Sequence, residues 1–316
     1  MRAVVLDLKG LELLPLTAIE EQVEELVVYT LTPADRIAER IQGFDIVITN
    51  KTPLDRESLL KAGAGRLKYI CVLATGTNVV DKDAANELNI PVSNCVAYGV
   101  DSVVQHTWSL ILALSTRLVD YVNDVRGGKW QKSEQFCFLD HPITELKGKS
   151  LGIVGFGHLG QGVAKIAAAF GMTVLVSQRL GRAAQEGRVP FEEVIEQADI
   201  LSLHCPLTTE TENLITRETF KAMKNSALLI NVARGGIVNE TDLAEALKTG
   251  EIAGAAIDVL TQEPPENGNV LLDTSIPNLL ITPHIAWGSE QARAEIIAQT
   301  AENIAAFLSG KVIRRV

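Results

Sequence analysis

Short apolar runs alternate with helical patterns along nearly the whole chain, in two successive blocks. In the first block residues 4–8, 26–29, 45–49, 67–73 and 91–94 read as strands, with helices over 33–42, 55–62 and 81–88. In the second, strands over 151–154, 173–177, 200–203, 227–231, 253–258 and 279–282 are separated by helices over 158–170, 191–197, 217–223 and 240–247. A strand followed by a crossover helix returns the chain to the same end of a sheet, so each block predicts a parallel sheet covered on both faces. The fold class is α/β, with two doubly wound units. At about 150 residues per domain, 316 residues also suggest two domains.

Between the blocks a helix is expected over 101–125, with Val104, Trp108, Ile111, Leu112, Leu118, Val119 and Val122 on its apolar face. Asp101 or Ser102 would cap its start. Residues 130–141 are aromatic-rich without a period and read as an arm or long loop. A last amphipathic helix is expected over 289–308, stopped by Gly310.

The chain carries 29 Lys and Arg against 39 Asp and Glu, a net charge of −10. Such a balance repels phosphate backbones and anionic lipid, so neither nucleic acid nor a membrane is an expected partner. No apolar stretch approaches the ~18 residues of a membrane span. The opening run, residues 1–8, reads as a first strand rather than a signal peptide. Cys71, Cys95, Cys137 and Cys205 lack metal-ligand spacing. No metal site is expected, and reduced thiols in a cytoplasmic protein are.

One turn carries a specific chemical expectation. Gly155-Phe156-Gly157-His158-Leu159-Gly160 follows a strand and opens a helix. In such a turn the first glycine permits the tight bend, the second lets a pyrophosphate approach, and the third packs helix on strand. The helix N-terminus then offers its unpaired N–H groups to the phosphates. A dinucleotide site is expected there. The next strand, however, ends in Gln178-Arg179 rather than in the acid that would hold the ribose of NAD. An uncharged Gln178 removes repulsion against a 2′-phosphate, and Arg179, helped by Arg182, would pair with it. NAD or NADP is the expected cofactor, with NADP slightly favoured.

Arg234, Glu263 and His284 each follow a predicted strand of the second block. Ligands of open α/β sheets bind at those carboxyl ends. An arginine fork suits a carboxylate or carbonyl oxygen, and a His beside a Glu is suited to act as a general acid. Singly these are an ordinary histidine and a surface ion pair. Their shared placement suggests a catalytic trio.

At these residues the chain resembles the D-2-hydroxyacid dehydrogenase family. Its segments His204-Cys205-Pro206-Leu207-Thr208, Ala233-Arg234-Gly235, Asp258 through Glu263-Pro264, and Pro283-His284-Ile285-Ala286 match the family's motifs in order. Leu73-Ala74-Thr75-Gly76-Thr77-Asn78, Phe136-Cys137-Phe138-Leu139-Asp140 and Trp287 are similar to the glycerate dehydrogenase (hydroxypyruvate reductase) branch. The resemblance implies a flavodoxin-like substrate domain (1–98 plus 287–316), a Rossmann-type cofactor domain (99–286), and a cleft between them. It implies a homodimer in which the 130–141 arm reaches the partner. It implies reversible hydride transfer between NAD(P)H and a small 2-keto acid.

Roles follow by resemblance. Arg234 would hold the substrate carboxylate and polarise its carbonyl. His284 would be the acid/base, supported by Glu263. Leu73, Ala74, Thr75 and Gly76 would bind the carboxylate through backbone N–H groups. His158 and Leu159 would meet the pyrophosphate. Thr75, Cys205, Pro206, Val232, Ala233 and Ala286 would line the cofactor, and Asp258 would accept from the nicotinamide amide. Two other functions remain open at this point. A 3-phosphoglycerate dehydrogenase would want extra basic residues, of which Lys51 is the one candidate, and often a further regulatory domain, where this chain ends at Val316. A dinucleotide-sensing scaffold would keep the same trio, but would carry tails for its partners.

Overall fold

A computed structural model describes residues 1–63, 66–179, 181 and 185–316. The chain forms two compact units, Met1–Gly99 with Gly288–Val316, and Val100–Trp287.

The first unit is a five-stranded sheet of β1 (Arg2–Val5), β2 (Glu25–Val28), β3 (Ile46–Thr49), β4 (Tyr69–Val72) and β5 (Val92–Ser93). All neighbours run parallel in the order β2-β1-β3-β4-β5. The central strands β3 and β4 are buried at every residue, which explains why they read as unbroken apolar runs. Helices α1 (Thr17–Glu20), α2 (Ile37–Ile41), α3 (Arg56–Gly63) and α4 (Lys82–Glu87) connect them. The C-terminal helix Glu290–Leu308 packs on β4, where Phe307 stacks on the buried Tyr69 at 4.4 Å. Ser289 caps that helix by accepting from the Ala292 N–H. The first strand ends earlier than its apolar run, because Asp7 turns toward the segment after β3 and accepts from its N–H groups.

The second unit is a six-stranded parallel sheet in the order β11-β10-β9-β8-β6-β7. It opens with α5 (Val100–Thr116) and α6 (Leu118–Arg126). Then come β6 (Ser150–Val154), α7 (His158–Ala169), β7 (Thr173–Val176), α8 (Phe191–Gln197) and β8 (Ile200–Leu203). The unit ends with α9 (Arg217–Ala222), β9 (Leu228–Asn231), α10 (Glu240–Thr249), β10 (Gly254–Ile257) and β11 (Leu279–Ile281). From β6 the chain steps outward to β7 and returns on the other side to β8. The order thus reverses beside β6, the place where open sheets leave a crevice.

Three expectations fail here. The single helix over 101–125 is two helices, broken at Arg117, whose φ is +53°. A non-glycine residue in that region costs about 1–2 kcal/mol, and Arg117 is anchored by an ion pair to Asp120 at 2.6 Å. The break swings Leu118, Val119 and Val122 out of the core, where they are exposed. Neither Asp101 nor Ser102 caps α5, which starts before both, and the Ser102 hydroxyl instead donates to the Ala286 carbonyl. Among the described residues no helix is long and apolar enough to cross a membrane.

Candidate active site

The glycine turn connects β6 to α7, and each glycine has its own physical reason. A side chain at Gly155 (φ +94°) would strike the backbone of His204 and Cys205 at 2.5 Å. One at Gly160 would lie 2.2 Å from the Gly155 carbonyl. At Gly157 the added atom would meet nothing within 4 Å. The first and third glycines therefore serve packing, while the second borders open space. No side chain caps α7 at Gly157, and its first turn holds no acid. The N–H groups there, including those of His158 and Leu159, offer a positive cradle without a competing carboxylate. This fits a dinucleotide pyrophosphate.

At the end of β7, the Gln178 N–H donates to the Val189 carbonyl and Arg179 is exposed. Arg182 lies outside the described residues. Across the crevice, Cys205 is buried, which pushes its thiol up to about 11, and Pro206 is exposed. His204 is driven by burial down to about 4. Its Nε2 meets Ser202 Oγ at 2.8 Å, and its buried Nδ1 has no partner among the described residues.

Three turns at the carboxyl end of the sheet carry the trio. The turn after β9 is held by buried Asn231, whose amide donates to the Arg234 carbonyl (2.9 Å) and accepts from the Ala233 N–H (3.1 Å). Val232 and Ala233 are buried beneath it, and Arg234 itself is exposed. Gly235 must be glycine, because a side chain there would lie 2.0 Å from the Leu260 carbonyl. That contact packs the Arg234 turn against the turn after β10. The Leu260 N–H donates to Glu263 Oε1 at 2.8 Å, and Glu263 Oε2 accepts from His284 Nδ1 at 2.6 Å.

His284 sits in the left-handed region, with φ +53°. Asp258 holds it there. Its carbonyl accepts from the His284 N–H (2.8 Å). Its buried carboxylate accepts from the N–H groups of Ile285 (3.0 Å) and Ala286 (2.9 Å) and from Thr282 Oγ1. His106 from α5 lies 3.1 Å from Thr282 Oγ1 and 3.6 Å from that carboxylate. With Nδ1 committed to Glu263, the imidazole has Nε2 for proton exchange. Asn231, Thr282 and His106 escape motif reading. The one signal that finds them is a polar residue where an apolar strand or helix face is expected.

In the first unit, Leu73 and Ala74 are buried and Thr75 and Gly76 exposed just past β4. The loop's carbonyl side is tied down. The Cys95 N–H donates to Ala74 O (3.1 Å), Asn94 Nδ2 donates to Thr75 O (2.7 Å), and Thr75 Oγ1 donates to Cys95 O (3.0 Å). The N–H groups of Ala74, Thr75 and Gly76 make no hydrogen bond among the described residues. Three successive N–H groups without a partner among the described residues are donors open to an anion.

Residues 108–286 match the family model of the D-isomer specific 2-hydroxyacid dehydrogenase NAD binding domain. The chain is 46% identical over 282 residues to a glycerate dehydrogenase of Methylorubrum extorquens, covering 89% of this chain and 88% of that one. It is 38% identical over 315 residues to a hydroxypyruvate reductase of Blautia hydrogenotrophica, covering 98% and 94%. Among solved structures it resembles a Thermus thermophilus protein (33% identity, TM-score 0.87) and an acyclic imino acid reductase in complex with NADPH and D-Arg (29%, TM-score 0.84), with full coverage of both chains in each case.

Proposed function

Because the chain belongs to the D-isomer specific 2-hydroxyacid dehydrogenase family, we propose that it reduces a small 2-keto acid, hydroxypyruvate or glyoxylate, to D-glycerate or glycolate. The pair of His284 and Glu263 at 2.6 Å, on the same sheet as the open glycine turn, is the observation that carries this reading. The names of the relatives in Methylorubrum and Blautia support the substrate class.

The dinucleotide, when bound, supplies the hydride that reaches the carbonyl carbon. The protein's own groups do the rest. Arg234 holds the substrate carboxylate through its planar fork and polarises the ketone oxygen. In the first unit, Ala74, Thr75 and Gly76, beside Leu73, offer N–H groups to the substrate carboxylate. His284 Nε2 gives its proton to the oxygen as the alkoxide forms, and the bond from Nδ1 to Glu263 fixes the ring's orientation. Cys205, Pro206, Val232, Ala233, Asp258 and Ala286 line the nicotinamide end. NADPH serves at least as well as NADH, since Gln178 carries no charge against a 2′-phosphate and Arg179 stands beside it. The first unit is the substrate-binding domain and the second the cofactor domain. The chain works as a homodimer in the cytoplasm. Phe136 (88% exposed) and Leu139 (75%) on the arm offer apolar surface to a partner copy, and four free thiols fit a reducing compartment.

The test is oxidation of NADPH and NADH by the purified protein against hydroxypyruvate, glyoxylate, pyruvate and 3-phosphohydroxypyruvate. Hydroxypyruvate or glyoxylate gives the highest kcat/KM, and His284→Ala loses about 10²–10⁴-fold in kcat with cofactor affinity unchanged. A preference for the phosphorylated acid, or normal turnover without His284, overturns the reading.

A further inference from the structure

We propose that Arg188 is the residue that selects NADPH, by binding the 2′-phosphate on its adenosine ribose; this rests on the reading that NADPH is taken at the glycine turn. No motif marks Arg188, ten residues past Gln178. The fold brings it back to the carboxyl end of β7. There the Val189 N–H donates to Val176 O (2.9 Å), the Gln178 N–H donates to Val189 O (2.8 Å), and Ser177 and Val189 form a parallel bridge. These bonds fix the backbone beside the ribose end of the crevice.

The side chain is anchored twice. Its Nη1 donates to the Ser177 carbonyl at 3.2 Å. Its guanidinium carbon lies 5.1 Å from the ring centroid of Phe156, the second residue of the glycine turn. One anchor is therefore on the strand that carries the ribose-binding position, and the other on the turn that carries the pyrophosphate. A guanidinium has five N–H donors, of which the Ser177 bond uses one. Arg188 is half-buried, and among the described residues no carboxylate pairs with it. A held cation with donors to spare, at a strand end that presents Gln178 instead of an acid, has the chemistry of a phosphate receptor.

Arg179 stands closer in sequence to the fingerprint's ribose position. It is exposed and has no anchor among the described residues, so binding must first order a long side chain. Arg188 is already ordered by stacking. The bland reading is that Arg188 only braces the end of β7 against Phe156. That role would affect every adenine nucleotide alike.

The test compares 2′,5′-ADP with 5′-AMP by titration calorimetry on the whole, unliganded protein. The two probes differ only in the 2′-phosphate. Wild type binds 2′,5′-ADP more tightly. Arg188→Gln weakens 2′,5′-ADP about ten- to hundredfold, the size of one charge-assisted bond, and leaves 5′-AMP unchanged. Arg188→Lys keeps the charge without the planar stack and falls between. Arg179→Gln has the smaller effect. Equal weakening of both nucleotides by Arg188→Gln makes the residue a brace and overturns the proposal, as does a larger loss from Arg179→Gln. If Arg188→Gln fails to fold, Arg188→Lys carries the test by the same ratio. If wild type binds the two nucleotides equally, the NADPH reading itself fails, and the proposal with it.

Discussion

The two sheets obey the same topological rule and treat its consequence in opposite ways. In the first unit the strand order turns back beside β1, and in the second beside β6. Each reversal leaves a crevice at the carboxyl ends of the strands. In the first unit Asp7, two residues past β1, fills it. Its buried carboxylate accepts from the N–H groups of Asn50 (2.9 Å), Lys51 (2.5 Å) and Thr52 (3.0 Å). In the second unit the residue just past β6 is Gly155, packed against the backbone of His204 and Cys205, and the space over Gly157 is open. The first crevice supplies its own anion, whereas the second presents an uncapped helix and leaves the anion to a ligand. Topology provides the crevice, and the turn residues decide whether it binds anything.

Filling the open side tests that contrast most severely. Gly157→Val puts a branched side chain where the pyrophosphate would lie. Dinucleotide binding falls below detection in calorimetry. Folding is little changed, because the backbone there is ordinary (φ −79°) and the space is empty. Undiminished affinity for NADH and NADPH would mean that the second crevice is not the site. The reciprocal change, Asp7→Ala, strips the N–H groups of buried Asn50 and Thr52, and that of Lys51, of their acceptor. An unsatisfied buried group costs about 1–3 kcal/mol, so a loss of several kcal/mol is expected. Urea unfolding followed by Trp fluorescence and circular dichroism should show an earlier transition, with dinucleotide affinity unchanged. If Asp7→Ala stays folded but no longer binds dinucleotide, the first crevice is not merely self-filled.

The parts legible in sequence are those set by local pattern. Strands appear as apolar runs because both faces of each sheet are covered, and the glycine turn is visible because two backbone contacts demand glycine at 155 and 160 while open space borders Gly157. His284 and Glu263 are legible through their places after strands. Three things were hidden. The break at Arg117 is invisible because the apolar period continues through it, and only a positive φ turns the second half outward. Asp258 reads as a ligand acceptor, yet three of its carboxylate bonds go to Thr282, Ile285 and Ala286, fixing the turn that presents His284. Arg188 is distant from its site along the chain, and only a bridge between Ser177 and Val189 returns it. Long-range polar contacts leave no periodic trace.

The smallest effect concerns how the second crevice is lined. At the corresponding edge of the first unit, the segment after β3 is held by the Asp7 carboxylate. In the second, the segment after β8 begins with His204, whose buried Nδ1 has no partner among the described residues. Burial lowers its pKa from 6.5 to about 4. Between those values the unfolded chain binds a proton that the folded one refuses, so stability falls as pH falls. The contribution is complete above pH 6.5 and is lost progressively down to about pH 4. The slope in that window is at most about 1.4 kcal/mol per pH unit for one proton. Carboxylates titrate in the lower part of the window too, so the quantity to read is the difference between wild type and His204→Asn. Urea midpoints at half-unit steps from pH 7 to 4.5 should diverge for the two proteins below pH 6.5 and run parallel above it. Parallel curves throughout would mean that water reaches the imidazole, and that this wall of the crevice is wetter than the packing of Gly155 on His204 implies.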